Sequence, residues 1–301
     1  MSLLKSIRRT PLFRVTSLNS ISVLFKIIAG LVSSKLMAVF VGPTGLALTG
    51  NLKNFLTSLE GVATLGLQNG IVKNIAENKE KPELLQKTIA TFFWLLLFLS
   101  VILGLVLAVF SAYFNELIFG KTQHFDTLFV VLGVLLPLYM VGLLLTLLLN
   151  GLGQFKRVIW VGIFASVFGL IYTVWAVVAL KTYGALISLI VPPAVLFVFA
   201  FYQINRVIDF KNYLSFHWID LRLVKNMSSY ALMTLVSAVG GSWVYLLIRQ
   251  NLIHSSGIEQ AGYWEAISRI SSYYLLFIST VLSVYFFPKL SAATSPLATK
   301  N

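Results

Sequence analysis

Seven ionisable side chains lie within or at the ends of long apolar stretches of this chain, where water is scarce. They are five cations and two carboxylates: Lys26, Lys35, Lys53, Arg249, Arg269, Glu60 and Glu265. A charge at the centre of a membrane helix costs about 2.5–3.5 kcal/mol on insertion scales, so such residues are functional candidates. Arg and Lys are the side chains that hold phosphate oxygens. The chemistry to expect is recognition of an anionic group inside a membrane.

Lys26 lies on a polar stripe along one face of the first apolar stretch. The residues of this stripe recur at intervals of three and four: Asn19, Ser22, Lys26, Gly30 and Ser33. That spacing keeps them on one side of an α-helix, so we expect Lys26 to line a cavity rather than to snorkel to the interface. Lys35 follows nine residues later, about 180° round the helix, and cannot share that face. For Lys35, snorkelling, contact with another helix and ligand binding all stay open.

A second stripe combines a cation with a carboxylate. It consists of Lys53, Thr57, Glu60, Thr64 and Gln68, again at intervals of three and four. Lys53 and Glu60 are about 10 Å apart along a helix axis, which is too far for a tight ion pair. Two interpretations of Glu60 are open. It pairs with Lys26 on the neighbouring helix, or it takes up a coupling proton, since carboxylates in membranes do both.

Arg249 and Arg269 complete the set of cations. Arg269 lies more than one turn from the predicted membrane surface, and Glu265 precedes it by four residues, which is the spacing of an ion pair on one helix. Glu265 is therefore also a candidate for structural pairing or ion coupling. Together the five cations predict a cationic, hydroxyl-rich cleft, which suits an anionic substrate that carries sugars. An exporter of cationic drugs or metal ions is expected to centre on carboxylates instead.

Eight apolar segments of about 20 residues or more hold these side chains, and each is long enough to cross a membrane as a helix. They cover 15–41, 44–72, 89–112, 126–149, 158–180, 183–203, 227–251 and 262–288. Of the 301 residues, 58% are apolar and 11% charged, with a mean hydropathy of +0.87. This composition predicts an all-α polytopic membrane protein, because backbone groups in lipid must be bonded within the segment. No connection is long enough for a soluble catalytic domain, so we expect a protein that is not an enzyme.

The Lys and Arg residues are distributed unevenly between the two sides of the membrane. Sixteen of the 23 lie on the side of the N-terminus, three on the other side and four within the segments. Positive loop residues stay in the cytoplasm, so the N-terminus is predicted to be cytoplasmic. The same distribution explains the net charge of +13 without a nucleic-acid partner. Cysteine is absent, which excludes a disulfide framework and a cysteine metal site, and we expect no metal or other cofactor.

The longest connection divides the chain into two unequal parts. We predict a cytoplasmic N-terminus at 1–14, a six-helix bundle at 15–203, a cytoplasmic linker at 204–226 and a partial second bundle at 227–301. An offset of 216 residues aligns 45–53 with 261–269, which sets Lys53 beside Arg269. A parallel repeat about an axis along the membrane normal produces such a match. Chance similarity between two hydrophobic helices is the alternative explanation.

Several segments carry a recognisable family pattern. They are Val41–Leu48, Gly50–Phe55, Leu67–Glu77, Ala261–Arg269 and Leu282–Leu290. They resemble the bacterial translocases of O-antigen and enterobacterial common antigen units. These are flippases in the polysaccharide transporter branch of the multidrug/oligosaccharidyl-lipid/polysaccharide superfamily. The resemblance extends over the whole chain and is most specific in the first, second and eighth segments.

The resemblance implies a MATE-like fold of two six-helix bundles in the bacterial inner membrane. It implies alternating-access transport of an undecaprenyl-pyrophosphate-linked oligosaccharide from the cytoplasmic to the periplasmic leaflet. The cations implied to hold the pyrophosphate in the central cavity are Lys26, Lys35, Lys53, Arg249 and Arg269. Glycan polymerase and chain-length machinery are implied partners.

The family has twelve membrane helices, whereas this sequence supplies about eight. We therefore expect a C-terminally truncated form, with a complete N-terminal six-helix bundle and the first two helices of a second bundle. Two alternatives to the flippase hypothesis stay open. One is an ion-coupled, multidrug-type exporter on the same fold, and the other is an inactive fragment.

Overall fold

The computed structural model describes the backbone of residues 11–282, and the side chains in that range except those of 11–21, 226, 228–230 and 281. Expectations that concern 1–10 and 283–301, including the end of the eighth segment, lie outside the described residues. So do the side chains of Asn19 and of Arg14, one of the N-terminal cations.

The described chain folds into ten α-helices and two short 3-10 turns, without a strand between 11 and 282. The helices are α1 Pro11–Phe40, α2 Gly42–Ala63, α3 Gln68–Asn78, α4 Pro82–Val109, α5 Ser111–Phe119, α6 Asp126–Gly151, α7 Phe155–Ile187, α8 Val191–Asn205, α9 Arg222–Ser256 and α10 Ile258–Val281. The 3-10 turns are Phe210–Tyr213 and Phe216–Trp218, and both lie in the predicted linker. The all-α prediction is confirmed.

Five helical stretches of the described chain are long and apolar enough to cross a membrane. They are Ser22–Phe40, Pro82–Val109, Asp126–Gly151, Phe155–Ile187 and Ala231–Ser256. The helices α2 and α10 have 22 and 24 residues but carry the polar stripes, and α8 has only 15 residues. The protein is a multi-pass membrane protein, and the number of eight spans stays a prediction.

The second predicted segment, 44–72, is not one continuous helix. It is divided between α2 and α3 because Leu65 and Gly66 adopt left-handed backbone angles, with φ of 51° and 67°. An added Cβ on Gly66 would be only 2.7 Å from the backbone nitrogen of Leu235 on α9. Glycine at this break therefore allows two backbones to come into direct contact.

The boundary between the fifth and sixth predicted segments is a kink rather than a loop. Helix α7 continues to Ile187 across Lys181, whose φ of 50° and ψ of −121° interrupt the helical geometry. The chain then turns at 188–190, and Val191 begins α8 with a proline in its first turn, where proline is tolerated.

The helices from α1 to α8 pack mainly on one another, and α9 and α10 attach to them through α2. Helix α6 is central, with α4 along one side and α8 along another, while α7 packs along α1. Two buried apolar clusters, one around Phe92 and Leu144 and the other around Phe129 and Met140, hold this arrangement together. Helices α9 and α10 pack against α2 and against each other, and α10 also contacts α1. The surface of α2 that faces α9 and α10 is therefore where charges from distant parts of the sequence can meet.

Candidate functional site

A buried polar cluster joins α2 to α9 and α10. Arg249 on α9 and Glu265 on α10 form an ion pair, with 2.5 Å between Nη2 and Oε2. The second carboxylate oxygen, Oε1, accepts a hydrogen bond from Nε of Arg269 at 2.8 Å. Both arginines also donate to α2. Arg249 Nη1 is 2.8 Å from Oδ1 of Asn51, and Arg269 Nη2 is 2.7 Å from Oγ1 of Thr49. These five side chains, called the arginine–glutamate network below, are each at most 8% exposed.

Local geometry explains why the network forms. Glu265 and Arg269 are one helical turn apart, so they face the same side of α10. On α2, an ideal Cβ added to Gly50 would be 2.5 Å from Oε2 of Glu265 and 2.8 Å from Cζ of Arg249. The absence of a side chain at Gly50 therefore lets the ion pair lie directly against the α2 backbone.

A cavity of about 470 Å³, called the cationic cleft below, opens beside the network between α2, α9 and α10. It is lined by Lys53, Asn54, Tyr245, Arg249, Trp264, Glu265, Ile267, Ser268, Arg269, Ser271, Ser272 and Leu275. The Trp264 ring lies 5.2 Å from Cζ of Arg249 and 5.9 Å from the ring of Tyr245. The volume lies within the range of about 300–1,000 Å³ that is common for ligand pockets.

Lys53 is the accessible cation of this cleft. Its side chain is exposed, and among the described residues it forms no ion pair. It lies within electrostatic range of Arg269, Glu265 and Arg249, and also of Lys26 on α1. The cations Lys53, Arg249 and Arg269 outnumber the one carboxylate, Glu265, which leaves a net charge of +2 among these four groups.

Two nitrogen donors at the cleft are buried and have no hydrogen-bond partner among the described residues. They are Nδ2 of Asn54 and Nε of Arg249. A buried donor left unsatisfied costs about 1–3 kcal/mol, and more when it is charged. Both donors would be satisfied by an anionic or hydroxyl-bearing ligand, or by water. The arrangement can thus bind phosphate-like anions, with hydroxyl groups and aromatic rings beside them.

Not all of the predicted cations belong to this site. Lys26 is exposed and lines a separate groove of about 490 Å³ between α1 and α7, together with Ser22, Gly30 and Ser33. The polar face predicted for this helix therefore lines a cavity, but a different one from the cationic cleft. Lys35 is exposed and lines neither cavity.

The carboxylate of Glu60 on α2 is bonded to side chains of α3 and α6. Its Oε1 accepts from Nε2 of Gln68 at 2.9 Å, and its Oε2 accepts a short hydrogen bond from the hydroxyl of Tyr139 on α6. Of the two interpretations of Glu60, pairing with Lys26 does not occur in this structure, because the four ion pairs found in the described part of the chain do not include it. The aromatic hydroxyl and the amide take the place of a cation.

Three contributors to these clusters were missed by sequence reasoning. Thr49 lies four residues before Lys53, so the polar stripe already pointed to it. Asn51 lies off that stripe: its Oδ1 accepts from Arg249, and its Nδ2 donates to the carbonyl of Ile118 at 2.9 Å. Tyr139 lies in a segment almost without charge. No sequence signal pointed to the last two.

The two segments that the suggested repeat aligns lie close together in the structure. Helices α2 and α10 carry the two aligned segments, and they pack against each other. The equivalent cations Lys53 and Arg269 line the same cleft. The repeat itself stays a prediction, but a two-fold relation between these helices would place their cations in this way.

The helices and the cleft define the class: a multi-pass membrane protein with the fold of MATE transporters. One solved structure, an inward-facing multidrug resistance MATE family transporter of the MOP superfamily, superposes with a TM-score of 0.69 at 15% identity, over 86% of this chain and 60% of that one. The MATE multidrug transporter DinF-BH superposes with a TM-score of 0.69 at 17% identity, over 92% of this chain and 64% of that one. At such identities the likeness shows the fold alone.

The sequence profile of the family described as Polysaccharide biosynthesis protein matches residues 12–293, and the chain belongs to that family. The Lipid III flippases of Escherichia coli (strain K12) and of Shigella flexneri are each 31% identical over 275 residues. The match covers 91% of this chain and 65% of each flippase, so the chain spans just under two thirds of these relatives.

Proposed function

We propose that this chain acts as a flippase for a lipid-linked oligosaccharide, whose pyrophosphate binds in the cationic cleft. The observation that carries the proposal is the accessible Lys53, which lies beside two buried arginines at a membrane-embedded cavity. Membership of the polysaccharide biosynthesis family and similarity to proteins named Lipid III flippase support the same substrate class. The resemblance found in the sequence adds an undecaprenyl carrier and transport from the cytoplasmic to the periplasmic leaflet.

Each part of such a substrate has a matching group in the cleft. Lys53 and Arg269 take the phosphate oxygens, because ammonium and guanidinium groups are the strong donors to phosphate. The hydroxyls of Ser268 and Ser272 hydrogen-bond to sugar hydroxyls, and the Trp264 ring provides an apolar face for a sugar ring. The exposed apolar flanks of α9 and α10 face the lipid tail.

Alternating access requires α9 and α10 to separate from α2 at one end of the cleft and to approach it at the other. The arginine–glutamate network lies at this contact, so it must rearrange during transport. The cleft can then hold the pyrophosphate away from lipid while the sugars cross. The protein binds and moves its substrate and performs no bond-breaking step.

Complementation of a bacterial strain that lacks its own lipid III or O-antigen flippase tests this function. The chain is expressed alone and joined to the remaining helices of a family member, and surface glycan is measured. Lys53→Ala should reduce transport at least tenfold at unchanged protein level, and Lys53→Arg should retain part of it. The matched control is Lys79→Ala, which removes an exposed cation outside the cleft. Normal glycan with Lys53→Ala would refute the role of the cleft.

A second candidate function rests on Glu60. Its carboxylate accepts from Tyr139 and Gln68 rather than from a cation, and carboxylates within membrane segments are candidates for ion coupling. In an ion-coupled exporter of cationic compounds, Glu60→Gln should abolish transport while Lys53→Ala has little effect. The flippase hypothesis predicts that Lys53→Ala is the damaging change.

We propose that the protein lies in the bacterial inner membrane with its N-terminus in the cytoplasm. The chain has no cysteine, so single cysteines report on topology. Asn212→Cys in the linker should react with an impermeant maleimide only after the cells are permeabilised, whereas Thr122→Cys should react in intact spheroplasts. The reverse pattern would invert the proposed orientation. Glycan polymerase and chain-length machinery are proposed partners, and crosslinking in cells is the test.

A further inference from the structure

Glu265 is the acceptor that both arginines of the network share. Oε2 accepts from Arg249 and Oε1 from Arg269, so both carboxylate oxygens are occupied by guanidinium groups. The residue is 4% exposed, yet it also lines the cationic cleft. An internal anion therefore already occupies guanidinium donors that a bound phosphate would need.

The same arginines connect the two parts of the molecule. Arg249 donates to Asn51 and Arg269 donates to Thr49, and both acceptors belong to α2. Glu265 orients the guanidinium groups toward α2 because it holds each of them from the α10 side. A group that took Arg269 away from Glu265 would weaken the contact of α10 with α2.

The charges of the cleft determine which anion can take Arg269 away from Glu265. Removal of a buried ion-pair partner leaves an uncompensated charge and is strongly unfavourable. An anion with one phosphate can bind Lys53, but it offers little to replace the Glu265 carboxylate. A pyrophosphate has two linked phosphate groups, each with its own negative charge, so it can bind Lys53 and Arg269 together. A single phosphate reaches a total charge of about −1.5 to −2 near pH 7, so the second charged group, and not the total charge, distinguishes the two anions.

We infer that Glu265 is a specificity-determining residue that competes with the substrate for Arg269. In the empty state its carboxylate occupies the arginines and keeps α10 joined to α2. Only an anion with two adjacent charged groups displaces it, and this displacement releases the contact that must open for transport. This inference rests on the proposed function. It adds a reason why the site rejects simple anions and why substrate binding starts the conformational change.

The test measures the binding of inorganic pyrophosphate and of inorganic phosphate to the purified chain in lipid nanodiscs. The wild type should prefer pyrophosphate by at least tenfold. Glu265→Gln should bind phosphate at least tenfold more tightly than the wild type does, and the preference should fall at least threefold. The charge-matched control is Glu77→Gln, which removes an exposed carboxylate paired with Lys73 in α3 and should change neither affinity.

A double variant separates competition from net charge. Arg249→Gln combined with Glu265→Gln retains Lys53 and Arg269, so the cleft keeps the wild-type net charge of +2 without an internal anion. The preference for pyrophosphate should remain low in this variant. A wild-type preference in both variants would overturn the inference. Equal weakening of the binding of phosphate and of pyrophosphate would also overturn it, because Glu265 would then be only a structural support.

A distance measurement that leaves the network residues unchanged tests the inference even if these variants do not fold. Spin labels on Thr122→Cys, before α6, and on Ser255→Cys, at the end of α9, report the separation of the two parts, since both positions are exposed. Pyrophosphate should lengthen or broaden the distance distribution, and phosphate should not. Bound pyrophosphate with an unchanged distribution would overturn the inference. If pyrophosphate does not bind the wild type, or binds Lys53→Ala equally well, the proposed function itself fails.

Discussion

Replacement of Gly50 by alanine is the sharpest test of the arginine–glutamate network. The new Cβ would be 2.5 Å from Oε2 of Glu265, whereas ordinary van der Waals contacts begin at 3.4 Å. The carboxylate must therefore move by about 1 Å, and Arg249 must move as well, because its Cζ would be 2.8 Å from the same Cβ. These shifts disrupt the 2.5 Å hydrogen bond between the two side chains.

The free energy of this change follows from two opposing terms. A hydrogen bond to a charged group contributes about 1.5–3 kcal/mol, and Gly50→Ala loses one of them. Alanine is favoured over glycine in a helix by about 1 kcal/mol, which offsets part of the loss. The net effect is a destabilisation of about 0.5–2 kcal/mol, and we expect transport to fall with it.

The matched control is Gly240→Ala on α9. Among the described residues, and apart from the neighbouring turns of its own helix, no atom lies within 4 Å of the Cβ that alanine would add there, so only the helix preference remains. We expect this variant to be unchanged or more stable by up to about 1 kcal/mol. The assay is denaturant or thermal unfolding of both proteins in the same detergent. Equal changes in the free energy of unfolding for the two variants, in either direction, would refute the account of the network.

Two further predictions concern contacts outside the cleft. Tyr139→Phe leaves Oε2 of Glu60 without its donor and should reduce the free energy of unfolding by about 1–3 kcal/mol in the same assay. Its control is Tyr113→Phe, which changes an exposed ring and should leave the stability unchanged. Unchanged stability of Tyr139→Phe would contradict the hydrogen bond. Trp94→Phe keeps an aromatic ring but loses the 2.8 Å hydrogen bond from Nε1 to the carbonyl of Leu214. Such a bond contributes about 0.5–1.5 kcal/mol, so tryptic cleavage in the linker should become about two- to tenfold faster. The exposed Trp160→Phe is its control, and equal cleavage rates would show that Trp94 does not anchor the linker.

The sequence was sufficient for the class of protein and for the local geometry of α10. Composition and segment length predicted membrane helices, because a backbone in lipid must satisfy its own hydrogen bonds. The spacing of Glu265 and Arg269 predicted their proximity, since residues four apart on a helix are neighbours. Both predictions depend on interactions that are local in the chain.

The division of the cations among cavities was decided by helix packing. Lys26 and Lys53 both lie on polar helix faces, yet one lines the groove between α1 and α7 and the other lines the cationic cleft. Helical periodicity shows which residues share a face, but it does not show which helix that face meets. Since lipid is as apolar as a bundle interior, hydrophobic pattern alone does not rank the possible neighbours of a membrane helix.

The partners of the buried charges also required the tertiary structure. Arg249 on α9 bonds to Glu265 on α10, and also to Asn51, which is 198 residues away in the sequence. Glu60 bonds to Tyr139 rather than to Lys26. Sequence by itself determined that these charges must be compensated, because an unpaired charge in a membrane is costly. Which group compensates each charge depends on where the helices cross, and positions without side chains such as Gly50 set how closely they cross.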